Sequence, residues 1–236
     1  MTAPRAPRPG TRAQILEMAR RLEDAYGPRP WGRRHPPVSE LVTTVLSQST
    51  TDANQYRAFD RLRERFPTWE AVRAAPPEEV QDAVRPAGMA TQKGPRIQAI
   101  LDTVAQEPRG ADLEWLGEAP LEEAMAYLTA LPGVGPKTAA CVLCFSFDRP
   151  VLPADTHVHR IALRMRIVPP KATALAAQER LSEVVPPGAT YATHMRLIAH
   201  GREVCRARGP RCGACVLLDL CPVGRAVARG RPPDTI

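Results

Sequence analysis

No apolar run in this 236-residue chain approaches the roughly 18–20 residues that a membrane-spanning helix needs, so no membrane association is expected. The N-terminus has no apolar signal core, which argues against secretion and against a disulfide framework for the six cysteines. For a bacterial source a cytoplasmic or nucleoid location is expected, although the arginine- and proline-rich start is also compatible with organelle targeting. No stretch alternates apolar and polar residues convincingly enough for a strand, and no repeat recurs at a fixed period. What is present is helical. Hydrophobic residues make up 44% and charged residues 24%, the balance of a soluble globular chain, with length enough for one large or two small domains.

The 32 basic residues outnumber the 25 acidic ones, and their distribution says more than the net charge of +7. Residues 1–30 hold six basic and three acidic residues, residues 201–236 hold seven and three, and the stretch between holds nineteen of each. Two basic ends around a neutral centre suit a protein that grips a polyanion, although basic tails also serve solubility alone.

Residues 1–10, with three prolines and almost nothing apolar, are expected to be disordered. Helical spacing then runs from Thr11 to Tyr26 through Ile15, Met18, Ala19 and Leu22. A Pro/Gly-broken link over 27–37 leads to a helix over Ser39–Gln48 with Leu41, Val42, Val45 and Leu46 inward. A further helix from Thr50 is expected to place Ala53, Tyr56, Phe59, Leu62 and Phe66 on one face. Shorter helices are expected over 69–74 and 78–84, then longer ones over 91–106 and 121–130. Beyond Asp155 the pattern stays helical. The fold class is all-α.

The most informative stretch runs from Leu131 to Arg160, LPGVGPKTAACVLCFSFDRPVLPADTHVHR. Gly133 and Gly135 can take positive φ at no steric cost, so the chain can reverse between two helices. Pro136 suits a helix's first turn, where its missing N–H is not needed. Such a helix N-terminus points backbone N–H groups outward and favours an anion. Lys137 sits just inside it, and Asp155 comes after a proline-marked loop, before the next helix. A Gly-x-Gly turn is by itself weak; the lysine and the Asp-Thr-His segment raise it. Cys141 and Cys144 fall within an apolar run and are expected to pack as small hydrophobes.

Cys205, Cys212, Cys215 and Cys221 are spaced C-x6-C-x2-C-x5-C. Four thiolates within seventeen residues can surround one metal centre, and only one C-x-x-C knuckle is present where structural zinc usually shows two. Zinc and an iron–sulfur cluster both remain open on spacing alone. Between the first two cysteines lie Arg206, Arg208 and Arg211, well suited to phosphate contacts that position a protein on a duplex without reading sequence.

The LPGVG turn, the lysine two residues on and the aspartate after the loop resemble the helix-hairpin-helix and Gly/Pro-Asp loop of the endonuclease III family of DNA base-excision glycosylases. The resemblance extends from about Val38 to Cys221. It implies two helical domains. One is continuous over 30–149 and ends in the hairpin. The other joins a basic tail and helix, 1–29, to residues 150–236 and carries a [4Fe–4S] cluster on the four cysteines; the site is expected in the cleft between them. It implies Lys137 as nucleophile and Asp155 as its carboxylate partner, with Gly133, Val134 and Gly135 holding DNA. Family members commonly carry a glutamine where Ser49 stands, filling the space left by a flipped base; here glutamine is one place earlier, at Gln48. Met89 takes the place of an apolar wedge between bases, or fills core, and Ala90 stands where a tyrosine is usual. His157, His194 and His200 match supporting positions.

The implied activity is a bifunctional glycosylase/AP lyase, a monomer acting on oxidised pyrimidines such as thymine glycol, or on AP sites, in duplex DNA. Lys137 must be neutral to attack a sugar C1′. The positive end of its helix and desolvation both lower its pKa, while Asp155 opposes that shift. Two rivals stand beside this reading: an enzyme of the same fold with another lesion preference, and a non-catalytic helix-hairpin-helix DNA-binding module.

Overall fold

The computed structural model describes residues 7–230, and the expectation of disorder over residues 1–6 lies outside them. Twelve α-helices succeed one another among the described residues, with no strand. They are α1 (Arg12–Tyr26), α2 (Pro37–Ser47), α3 (Asp52–Arg65), α4 (Trp69–Ala74), α5 (Pro77–Val84), α6 (Ala90–Ala105), α7 (Leu121–Ala130), α8 (Pro136–Phe147), α9 (Thr156–Arg164), α10 (Ala174–Val184), α11 (Thr190–Glu203) and α12 (Pro222–Ala228). Short 3₁₀ turns lie at Arg85–Ala87, Glu114–Gly117 and Cys212–Ala214.

The chain divides into two compact units. One is Arg33–Phe147; the other joins the segment ending at Gly32 to the segment beginning at Asp148.

In the unit Arg33–Phe147, α2 packs on α3 and α8, α5 on α3 and α6, and α7 on α8. Leu41, Val45, Leu46, Leu62, Ile97 and Val142 are fully buried there. Thr51 and Thr68 start α3 and α4 by accepting the amides of Asn54 and Ala71 at 3.3 and 3.1 Å. The inward face of α3 differs from expectation. Ala58, Phe59 and Leu62 are buried, whereas Tyr56 is 41% exposed and Ala53 is exposed too. At about 100° per residue, Ala53 falls on the face opposite these three and Tyr56 beyond their margin.

In the other unit, α9 packs against α10 and α11, and α1 lies on both of those helices. Ile15, Met18, Leu22, Val158, Ile161 and Leu197 share its core. A buried amide fastens the first helix to the last third of the chain: Gln14 Nε2 donates to the carbonyls of Met165 and Leu220, both at 2.9 Å. Arg21 pairs with Asp219, and Arg196 Nη2 with Glu23 at 2.6 Å. Helices α9 and α11 approach closely at Gly201, where a Cβ would stand 2.7 Å from that of His157.

Candidate nucleic-acid interface and cysteine centre

The hairpin belongs to the unit Arg33–Phe147. α7 ends at Ala130, the chain turns through Gly133 at φ 69°, and α8 begins at Pro136. Gly133 and Gly135 are exposed. Val134, expected among the DNA-contacting residues, is 4% exposed, and its N–H donates to Leu131 O at 3.1 Å. Both its side chain and its N–H thus serve the turn's interior. Lys137 is half-buried in the first turn of α8.

Two elements meet this turn. Arg96 of α6 lies over Gly133, where a Cβ would come within 2.3 Å of its Nε. Its Nη1 donates to Gln48 Oε1 at 3.2 Å, and Gln48 Nε2 donates to Thr138 Oγ1 at 3.4 Å. Gln48 is therefore held on the hairpin side by its own side chain. The next residue, Ser49, is exposed with φ 54°. Met89 is 46% exposed with φ 51°, a conformation that non-glycine residues adopt at a cost. Its exposure disfavours simple core filling.

Two buried ionisable groups in this unit have no sequence signal of their own. Lys93 is 1% exposed, and its Nζ donates to the carbonyls of Leu46, Gln48 and Ala87 at 2.8, 2.6 and 2.8 Å. Burial, and then the Arg96 charge, lower its pKa. Glu40 on α2 is 6% exposed, and burial pushes its carboxyl up to about 7 against the hydroxyl of Thr44 and the charges of Arg34 and Lys137.

In the other unit, Asp155 is the N-cap of α9. Its Oδ1 accepts the amides of His157 and Val158 at 2.9 and 2.8 Å. The cap uses one carboxylate oxygen only. His194 Nδ1 meets the carbonyl of Pro153 at 2.9 Å, tying α11 to the loop before Asp155.

Cys205, Cys212, Cys215 and Cys221 line one cavity that opens to solvent, with Arg164 in its wall. Among the described residues, no three His, Cys, Asp or Glu side chains converge on a single ion-sized point. Burial raises the thiol pKa of Cys212 and Cys221 and pushes that of Cys215 up to about 11. Arg164, 7% exposed, donates from Nη1 to Cys205 Sγ at 3.4 Å and Arg206 O at 2.7 Å, and from Nη2 to Ala207 O at 3.0 Å. The segment carrying the exposed Arg206, Arg208 and Arg211 is thereby fastened to the cavity wall. His200, its pKa held down at about 4 by burial, bridges Tyr26 Oη at 3.0 Å and Cys215 Sγ at 3.5 Å. Sequence reasoning missed Arg164. The available signal was a basic residue between the apolar positions Ile161 of α9 and Met165 just past its end.

A family model described as "HhH-GPD superfamily base excision DNA repair protein" matches residues 42–187. The Endonuclease III of Thermotoga maritima is 32% identical over 92% of this chain and 96% of its own length. The chain belongs to the endonuclease III family of the HhH-GPD base excision repair superfamily. Two solved structures share its fold at TM-score 0.79 and 30% identity, each covering 93% of this chain and 99% of its own. One is described as a non-covalent Endonuclease III–DNA complex. The other is a trapped Endonuclease III–DNA covalent intermediate. As a member of this family the protein is a base excision repair DNA glycosylase. No helix among the described residues is long and apolar enough to cross a membrane.

Proposed function

We propose that this protein is a bifunctional glycosylase/AP lyase, removing oxidised pyrimidines from duplex DNA and cleaving the strand through a lysine Schiff base. The observation that carries this reading is Lys137 in the first turn of α8, two residues past the exposed Gly135 of the hairpin. The damaged nucleotide must leave the stack before its sugar can be reached. The neutral Lys137 amine then attacks C1′, and the C1′–N bond breaks with its electron pair going to the departing base, which takes up a proton. Loss of a proton from nitrogen and opening of the C1′–O4′ bond give the imine, with O4′ protonated. Abstraction of a C2′ proton expels the 3′ phosphate by β-elimination. Asp155 stabilises the positive charge developing on the sugar and relays protons. A trapped covalent intermediate in a relative of the same fold supports this chemistry.

The four cysteines that line this cavity suit a [4Fe–4S] cluster better than structural zinc, because only one C-x-x-C knuckle is present among them. The residues that would hold it are Cys205, Cys212, Cys215 and Cys221. Bound there, the group supplies a rigid crosslink, which keeps the Arg206, Arg208 and Arg211 guanidiniums ready for phosphate contact.

Borohydride trapping tests the reading. Duplexes carrying thymine glycol or an AP site should each yield a covalent complex with the protein, and Lys137→Ala should yield none. Trapping on the AP site alone would restrict the protein to lyase action on a base still to be found. Binding without any trapping would favour the non-catalytic module.

A further inference from the structure

Lysine is rare in this chain: Lys93, Lys137 and Lys171 are the only ones among 32 basic residues, the other 29 being arginine. One of the three is buried at the start of α6. An ammonium presents three protons in a compact tetrahedral head, which a planar guanidinium cannot imitate. Lys93 uses that geometry fully, with three carbonyls at 2.6–2.8 Å for its three protons. Two of these, Leu46 O and Gln48 O, lie at the C-terminal end of α2, where carbonyls lack helical partners and the helix dipole is negative. The third, Ala87 O, closes the 3₁₀ turn ahead of α6.

Just past each of these two turns, the backbone enters an unusual conformation. Ser49 comes directly after Gln48 with φ 54°, and Met89 comes two residues after Ala87 with φ 51°. Both are exposed non-glycine residues in the left-handed region, and such conformations persist only where the surroundings impose them. Arg96, one turn beyond Lys93, holds the Gln48 side chain while Lys93 holds the Gln48 carbonyl. Gln48 is thus fixed at both ends, and Ser49 is the residue presented outward.

We propose that Lys93 is a positioning residue for strand cleavage. From inside the fold it sets the α2–α3 turn and the turn before α6 in one register, so that Ser49 and Met89 enter the duplex as a unit. This rests on the glycosylase/lyase reading of Lys137. It makes Ser49 the residue that meets the space left by the flipped nucleotide, and Met89 its partner wedge.

The test uses the cluster-loaded protein. Lys93→Met should slow single-turnover cleavage of an AP-site duplex at saturating enzyme by on the order of ten- to a hundredfold. Affinity for undamaged duplex should stay within about twofold, since no phosphate contact is lost. Met89→Ala should slow cleavage in the wild type and add nothing in the Lys93→Met background. Gln98→Leu is the structural control. Its Nε2 donates to Val72 O at 3.0 Å and Ala75 O at 2.9 Å from the same helix as Lys93, so its loss should lower the melting temperature without changing the rate. A wild-type rate in Lys93→Met, or full additivity with Met89→Ala, would overturn the proposal. If Lys93→Met does not fold, hydrogen exchange on the wild type decides. Segments 47–51 and 86–90 should open at a common rate and gain protection together on a duplex, and unequal opening rates would refute the clamp. That exchange experiment on the free protein holds even if the wild type cleaves nothing, which would refute the Lys137 reading alone.

Discussion

The backbone amide of Val158 donates to Asp155 Oδ1 at 2.8 Å, so the aspartate expected to serve the reaction is also the residue that starts α9. The two duties separate by substitution. Asparagine caps a helix about as well as aspartate, whereas alanine costs about 1 kcal/mol at such a position. Asp155→Asn should keep the wild-type urea midpoint and Asp155→Ala should lower it. Both should reduce single-turnover cleavage by about a hundredfold or more, because both remove the charge. Retained activity in Asp155→Asn would show that the cap is the aspartate's whole role.

Gly133 is constrained twice, by φ 69° and by the Arg96 side chain lying where a Cβ would be. Gly133→Ala should destabilise the protein by roughly 1–3 kcal/mol and weaken duplex binding. Adding Arg96→Ala should recover the steric part and leave the backbone part. Thermal melts of the two single variants and the double variant separate the contributions.

Glu40 gives stability a dependence on pH. Its folded-state pKa, about 7, lies above the ordinary 4.5, so its contribution is full below pH 4.5 and is lost as pH rises through 7. Glu40→Gln should therefore match the wild type near pH 4.5. At pH 8 it should exceed it by on the order of 2–3 kcal/mol. Urea titrations across that range check it; parallel curves for the two proteins would mean that the carboxyl is solvated. The Lys137 charge holds this carboxyl down, so Lys137→Ala should shift the loss to higher folded-state pKa and deepen it at pH 8.

Cys221 has two tasks as well. Its sulfur lines the cavity, and it accepts the amide of Gly224 at 3.2 Å as N-cap of α12. Serine is a good cap and a poor iron ligand. Cys221→Ser should lose iron, read by metal analysis and visible absorption, while keeping more of its helical signal than Cys221→Ala. Equal loss in the two variants would put the whole effect on the metal.

The sequence spoke most clearly where chemistry and local geometry coincide. A proline at N1, a positive-φ glycine and an aspartate ahead of a helix are short-range features, and the hairpin and the α9 start appear where the residues predict them. Helix faces were less legible: Tyr56 and Ala53 fit an apolar list but not the angle at which α3 meets its neighbours. Least legible were contacts across long separations. Nothing near Lys93 announces a partner 47 residues earlier, and nothing near Glu40 announces burial on a helix packed beside α8. Apolar periodicity marks which positions face inward, not which polar groups are carried in with them.

The amide of Gln14 reaches Leu220, 206 residues further along the chain. During synthesis the unit Arg33–Phe147 emerges whole while α1 still lacks most of the core it will join. Chains commonly fold domain by domain as they leave the ribosome, so this middle unit has the first opportunity to close. Helix α1 then waits for the segment beginning at Asp148, and its amphipathic face stays open until α10 and α11 follow. A product cut off before α10 would carry that apolar stripe uncovered, which sets it apart from a chain whose second unit is whole.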